Sequence, residues 1–372
     1  MWRRLAKTGI ACGLSWTGAD DWIGSLSGSR RRPLVIGYHR VVEDGASTEL
    51  ALPGMVISRR MLERHLDWIG RRYRFVSLDE LGELLLSGDA SGQPVAAVTF
   101  DDGYSDVYHN ALPVLRRKGI PAAVFVVSDL VGTHCLPLYD RLFLLLGHAF
   151  ERDGNGPRVS LPSLLLRLGL PFNDPASRRA LAHGPFQALG VLLDRLPQLE
   201  IQALIAALAA ETGSMPRSPE LRPLTWEMLL ELHGAGVTIG SHTRSHALLT
   251  NERADRVAEE AAGSREALEG RLPGRVVHFA YPDGRWNARA VAAVAAAGYR
   301  FAYTVCSHQD SVAPLLTIPR RMLWEESCLD SLGHFSESVM SCQVNGVFDM
   351  VAPCERDHGP AVGAACLEPS GA

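Results

Sequence analysis

The chain has 372 residues, 47% of them hydrophobic and 21% charged, with 37 Lys and Arg against 41 Asp and Glu. That length supports one large domain or two ordinary ones with a substantial core, and the apolar content excludes disorder as the main state. The formal net charge of −4 excludes a general nucleic-acid binder, which needs a basic balance.

The first 32 residues form a basic leader: Arg3, Arg4, Lys7, Arg30, Arg31 and Arg32, opposed only by Asp20 and Asp21. Its apolar stretch, Gly9 to Leu14, is short, broken by glycine and followed by acidic residues, which makes a poor export signal. No run reaches the length of a transmembrane helix. The expectation is a cytoplasmic chain whose leader rests weakly on an anionic inner membrane face. Seven dispersed cysteines without a C-x-x-C pair point to a reducing compartment. Four of them, Cys328, Cys342, Cys354 and Cys366, lie late in the chain, with a redox or metal patch there as the alternative.

The ordered fold is expected from Pro33. Leu34 to Tyr38 reads as a buried strand ending at His39. Ser58 to Arg71 carries Met61, Leu62, His65, Leu66 and Ile69 at helical spacing. Leu78 to Ser87 follows a Ser77/Glu80 capping box. Val95 to Phe100 is a second strand, stopping at Asp101-Asp102-Gly103. Ala111 to Lys118 is a helix closed by Gly119, and Ala122 to Val127 a third strand. Leu136 to Pro223 breaks the rhythm and reads as a helical insertion, 136–223. The alternation resumes with a helix at Trp226, a strand to Gly240 before Ser241-His242, a helix over Asn251 to Gly270, and a strand to Ala280. A helix over Ala288 to Ala297 and strands at Phe301 to Val305 and Leu315 to Ile318 complete it. Seven strand–helix alternations predict an α/β fold, a distorted parallel (β/α)7-type barrel over 33–345 with the insertion inside it. Residues 346–372 read as a flexible tail.

Polar residues stand at the carboxyl ends of several strands: His39, Asp101, Asp102, His242 and the Tyr281-Pro282-Asp283 turn. That rim is where barrels of this kind place their sites. Adjacent carboxylates repel unless a metal or a shared proton relieves them; the bland alternative is a solvated Asp-Gly turn. His242 and His246, four apart, face one centre if they lie on a helical turn. With Asp102 they make a two-nitrogen, one-oxygen set with open positions, the pattern of a catalytic metal.

Thr99-Phe100-Asp101-Asp102-Gly103, Ser241-His242-Thr243-Arg244-Ser245-His246 and Phe279-Ala280-Tyr281-Pro282-Asp283-Gly284 resemble, in order and spacing, the first three motifs of the polysaccharide deacetylases, the NodB-homology family (carbohydrate esterase family 4). The resemblance implies a metal-dependent N-deacetylase acting on the sugars of a polysaccharide or glycan precursor. Asp102, His242 and His246 would hold the metal, zinc by default, with cobalt, nickel, manganese or iron compatible. Asp101 would be the general base, and the backbone N–H of Tyr281 an oxyanion donor. Pro282 and Gly284 would fix that turn and admit substrate. Tyr104, following the Asp pair, either shapes the sugar site or simply packs.

Two departures leave choices open. The more usual third motif has an Arg where Ala280 stands; Arg320 or Arg321 would supply that guanidinium. The acid that protonates the leaving amine falls to His39, to His308, or to His334 of Leu332-Gly333-His334. Trp226, Trp286 and Trp324 read as packing residues. The alternatives in function are an O-acetyl esterase or amidase using the same metal site, and a non-catalytic sugar-binding protein.

Overall fold

The computed structural model describes residues 2–26, 32–46, 51–88, 92–153, 156–213, 221–350 and 358. Arg30 and Arg31 of the basic leader, Cys354, Cys366 and nearly all of 351–372 lie outside the described residues.

Short, wholly apolar runs make the sheet. β1 (Leu34–Tyr38), β2 (Val95–Phe100), β3 (Ala122–Val126), β4 (Thr238–Ser241), β5 (His278–Ala280) and β6 (Phe301–Thr304) are almost entirely buried, as parallel strands covered on both faces must be. They pair in parallel in chain order. The seventh strand, expected over Leu315 to Ile318, is displaced and split: Pro314–Leu316 is a 3-10 turn, and only Ile318 of the expected run is in a strand. β7 (Ile318–Pro319) pairs with β6, and β8 (Arg321–Met322) pairs with β1. Residues 318–322 therefore bridge the first and last long strands and nearly close an eight-stranded barrel. Arg320 stands at the joint.

The two-residue period of a strand decides what faces inward. Val35, Ala97, Ala123, Phe125, Ala280, Tyr303 and Ile318 share the interior cluster. Leu78 and Leu81 of α1 (Leu78–Ser87) join them and plug the amino end of the barrel. Continuing the same register places Thr99 and Asp101 inside at the carboxyl end. Outside, a second cluster packs the sheet against its crossover helices, through residues such as Ile36, Leu62, Val114, Leu229, Ala261 and Val294.

The insertion has a core of its own. α2 (Leu138–Phe150), α3 (Pro185–Arg195) and α4 (Gln198–Thr212), with shorter helices at Leu161–Arg167 and Pro175–His183, bury leucines such as Leu142, Leu145, Leu192 and Leu208 against one another. The leader is helical over Trp2–Thr17 and Ala19–Leu26. It packs on Glu337–Val344, a helix that the sequence did not announce, through Ala11, Val339 and Cys342. Four of its charges are engaged there: Arg4 pairs with Glu326, Lys7 donates to the Ser327 carbonyl, Asp20 accepts from Ser341 and Asp21 from Asn345. Among the described residues no helix is long and apolar enough to cross a membrane.

Candidate active site

Asp101 leaves β2 with its N–H donating to the Tyr38 carbonyl. Its two carboxylate oxygens accept from Arg320, 2.7 Å to Nη1 and 2.6 Å to Nη2, and Nη1 also reaches Thr99 Oγ1 at 3.1 Å. Both side chains are almost wholly removed from solvent. The guanidinium sits over the Phe125 ring inside the barrel. Burial pushes the Asp101 carboxyl up, but Arg320 and His242 outweigh it and hold the group below the usual carboxylate range. The pair keeps Asp101 ionised and fixed in plane.

Asp102 turns the other way because its backbone is left-handed, φ 70°. Its Oδ1 lies 3.4 Å from His242 Nε2 and 3.2 Å from His246 Nε2. His242 and His246 do not share a helical turn, contrary to the sequence expectation. They converge because Thr243 and His246 also take left-handed backbones, φ 66° and 62°. With Asp283 at 52°, these are the only non-glycine residues with positive φ among the described residues, and all four lie at this rim. Each such conformation costs on the order of 1–3 kcal/mol and persists only where the surroundings enforce it.

Several contacts enforce it. His242 Nδ1 lies 2.8 Å from the Ala280 carbonyl, an N–H donation that leaves Nε2 as a lone pair facing Asp102. Ser245 donates to Glu260, which is fully buried and pairs with Arg256. The Tyr139 ring packs 4.8 Å from that of His246, and Tyr139, Tyr104 and Asp140 form a buried hydrogen-bonded trio under it. Burial and the neighbouring Asp102 charge push the Asp140 carboxyl up to about 7, while its bond from Tyr104 opposes them. Glu260, Tyr139 and Asp140 escaped the sequence reading. An acid in an alanine-rich helix and a Tyr-Asp pair opening another carry no distinguishing signal.

The three ligating side chains fit a divalent metal. Both Asp102 oxygens are buried with no hydrogen-bond partner, a costly state for a carboxylate. The 3.2 and 3.4 Å edges match the roughly 3.4 Å nitrogen–oxygen separation of a tetrahedral centre with bonds of about 2.0–2.2 Å. Burial raises the Asp102 carboxyl, but the two imidazoles carry it well below the carboxylate range. Burial lowers His242, yet Asp102 and Asp101 raise it on balance.

These residues open on a cavity of about 990 Å³. His39, Asp101, His246 and Arg320 line its barrel side, Leu138, Phe186 and Leu189 its insertion side. Trp324 also lines it, so it is not solely a packing residue. His39 is half-buried there. Burial lowers its pKa, against the raising effect of Asp102 and Asp101.

Comparison with known proteins now decides the family. A polysaccharide deacetylase family model matches residues 88–168 and 183–302, just over half of the chain. The chain belongs to the polysaccharide deacetylase family. YxkH of Bacillus subtilis (strain 168), named as a polysaccharide deacetylase, is 29% identical over 99 residues, which are 26% of this chain. The match spans about a third (33%) of that protein's length. Among solved structures, IcaB from Ammonifex degensii superposes with a TM-score of 0.52 at 18% identity, over 84% of this chain and 97% of that one. The Streptococcus pyogenes deacetylase PplD, in complex with acetate, superposes at 0.50 and 16% identity, over 80% and 94%. At such identities the likeness shows the fold alone.

Within this polysaccharide deacetylase fold three expectations need correcting. Tyr104 is not on the cavity wall; its ring is buried and its hydroxyl is taken by Asp140 and Tyr139. The Tyr281 N–H is not available as an oxyanion donor, because it donates to the Tyr303 carbonyl at 3.0 Å. Its side chain is also turned away, donating to the Leu316 carbonyl. Pro282 is buried inside its turn, and only Asp283 and Gly284 of that turn reach the cavity. Of the candidate acids, His334 is exposed in a turn held by Asp330, and His308 meets Cys306 instead; neither lines the cavity. Arg321 lines the cavity but pairs with Asp349. Of the late cysteines, the two among the described residues make no patch with each other: Cys328 contacts Met340, while Cys342 packs under the leader.

Proposed function

We propose that this protein is a metal-dependent hydrolase that removes N-acetyl groups from the sugars of a polysaccharide or glycan precursor. The observation that carries the reading is the Asp102 carboxylate, buried without hydrogen bonds and facing two imidazole nitrogens, one residue from an Asp101 held by Arg320.

Asp102, His242 and His246 would hold the ion, for which the nitrogen–oxygen donor set makes zinc the default. When bound, a divalent metal polarises the acetyl carbonyl and lowers the pKa of water at neutral pH. Asp101, kept ionised by Arg320, accepts the proton of the attacking water. His39, on the same wall, gives a proton to the departing amine when it is in its protonated form, which burial disfavours and Asp102 and Asp101 favour. The amide C–N bond breaks, and acetate and a free amine leave. The apolar wall contributed by Leu138, Phe186 and Leu189 supports the insertion as the element that selects what surrounds the acetylated sugar.

The deciding measurement is acetate release from N-acetylglucosamine oligomers by metal-stripped protein, zinc-restored protein and Asp101→Asn. Release that needs metal and is lost in the variant is expected. Release from O-acetylated sugars alone would move the assignment to an esterase, and absence of metal binding would defeat it.

We further propose that the protein is cytoplasmic and rests weakly on the inner membrane face through its leader. The exposed Trp16, Trp22, Ile10 and Leu26 of the leader helices support a surface contact. Co-sedimentation with anionic vesicles should fall on substituting Trp16 and Trp22 by Ser; unchanged sedimentation would sink the contact.

A further inference from the structure

A second group of ligating side chains lies behind the third-motif turn and takes no part in the chemistry above. Cys306 follows β6 by two residues and is buried. Its Sγ lies 3.4 Å from His308 Nδ1 and 3.3 Å from His358 Nε2. The thiol and the two rings come from positions 306, 308 and 358, so local chain geometry brings only two of them together. The structure brings in the third.

We propose that Cys306, His308 and His358 form a second metal site, for zinc or a similarly borderline-soft divalent cation, separate from the Asp102 centre. Five observations support it. The ligand atoms of all three lie within 4.8 Å of one another. Zinc–sulfur and zinc–nitrogen bonds of about 2.3 and 2.0–2.1 Å put sulfur and nitrogen roughly 3.6 Å apart in a tetrahedral centre. The observed edges need widen by only two or three tenths of an ångström, on that rough geometry. His358 Nδ1 lies 3.0 Å from the Trp286 carbonyl, so its N–H donates there and its Nε2 lone pair turns toward the sulfur. Its ring stacks on Trp286 with centroids 4.2 Å apart, which fixes its plane. Finally, the backbone N–H of His308 donates to Cys306 Sγ at 3.3 Å, which holds the sulfur in place beside both rings.

One thiolate and two imidazoles suit zinc, and suit magnesium or calcium poorly. Loading releases the thiol proton to solvent, so binding strengthens as pH rises. Cys306 does not line the catalytic cavity, which argues against a nucleophilic cysteine. The site is a tie. Cys306 N–H donates to Thr304 Oγ1, and that hydroxyl donates to the Gly284 carbonyl in the turn that lines the cavity. A metal here fastens residue 358 to the back of that turn.

Cobalt substitution of the chelator-treated, full-length protein tests this without recourse to activity. A thiolate ligand gives a near-ultraviolet sulfur-to-cobalt charge-transfer band that the Asp102 centre cannot produce. The wild type should take up two equivalents and show the band. Cys306→Ser and His308→Ala should each take up one equivalent and lose it, whereas Asp102→Asn should keep the band while losing an equivalent. His308 is exposed, so its variant serves if Cys306→Ser does not fold. No band in the wild type, or a band that survives in either folded variant of this cluster, overturns the proposal. The Asp102→Asn result bears on the catalytic centre alone, so failure of one assignment leaves the other standing.

Discussion

Asp101 and Arg320, 219 residues apart in sequence, meet through two parallel hydrogen bonds of 2.6 and 2.7 Å inside the barrel. Arg320 is wholly shielded from solvent and the carboxylate nearly so. The resemblance to the deacetylases places an orienting arginine within the third motif, where this chain has Ala280. Here the guanidinium reaches Asp101 from the joint between β7 and β8.

Arg320→Lys keeps the charge and loses the planar fork. We expect kcat/KM to fall at least about tenfold with the fold retained. Arg320→Met leaves a buried, unpaired carboxylate, a change that costs about 3–5 kcal/mol. In the wild type the Asp101 pKa is depressed. Its contribution to stability is therefore present above the unfolded value and lost as pH falls through the folded one. In the Met variant only His242 and His39 still oppose burial, so the pKa rises, and the acid limb of the rate profile should move to higher pH. Denaturant unfolding and a pH–rate profile check both effects.

Metal affinity at the Asp102 centre should fall with pH. His242 is raised above its ordinary value, so protons compete with the ion from above pH ~6.5 downward. For one displaced proton the loss is roughly tenfold per pH unit below the His242 pKa. Calorimetric titrations on either side of neutrality measure it, and a flat affinity would contradict this account. His246→Ala should bind far more weakly at every pH.

His65 supplies a test remote from the site. It is fully buried, with Tyr38 Oη 3.3 Å from Nδ1, and burial pulls its pKa down to about 3. The folded state keeps it neutral while the unfolded chain protonates it near 6.5. Its contribution is present above the unfolded pKa and lost progressively as pH falls from about 6.5 toward 3. Between pH 7 and 5 that loss is about 2 kcal/mol, and His65→Leu should abolish it. Urea unfolding at the two pH values gives the comparison.

Gly284 has φ 60°, and a Cβ there would collide with the backbone nitrogen of Val305. Gly284→Ala should cost about 1–3 kcal/mol and lose most acetate release, because the turn borders the cavity. Gly333→Ala is the control. Its φ is 82° with open space around the new atom, so it carries only the conformational cost of about 1 kcal/mol and should leave the rate unchanged. Thermal melts read the first quantity.

Strands β1 to β6 were legible because buried parallel strands are apolar runs that stop at polar residues. Asp101, Asp102, His242 and His246 were legible for the same reason, each following such a run. What sequence could not supply was the way the chain bends there. His242 and His246 converge through left-handed residues, and no helix places them, so spacing alone suggested the wrong local structure. Tyr281 and Tyr104 followed motif letters, and the letters do not record that a strand pairing uses the Tyr281 N–H or that Asp140 takes the Tyr104 hydroxyl. The split at β7–β8 was hidden because each piece has only two residues, too short for any periodicity.

The short bridge 318–322 has a temporal meaning as well as a spatial one. A chain emerging amino-end first presents Asp101, Asp102, His242 and His246 long before Arg320. Until the bridge docks, Asp101 has no guanidinium to align it, and the contact spans a loop whose closure is slow. Alignment of Asp101 thus waits on residues made late in synthesis, and a prematurely released polypeptide ending before residue 318 would carry the three family motifs without the guanidinium that holds the first.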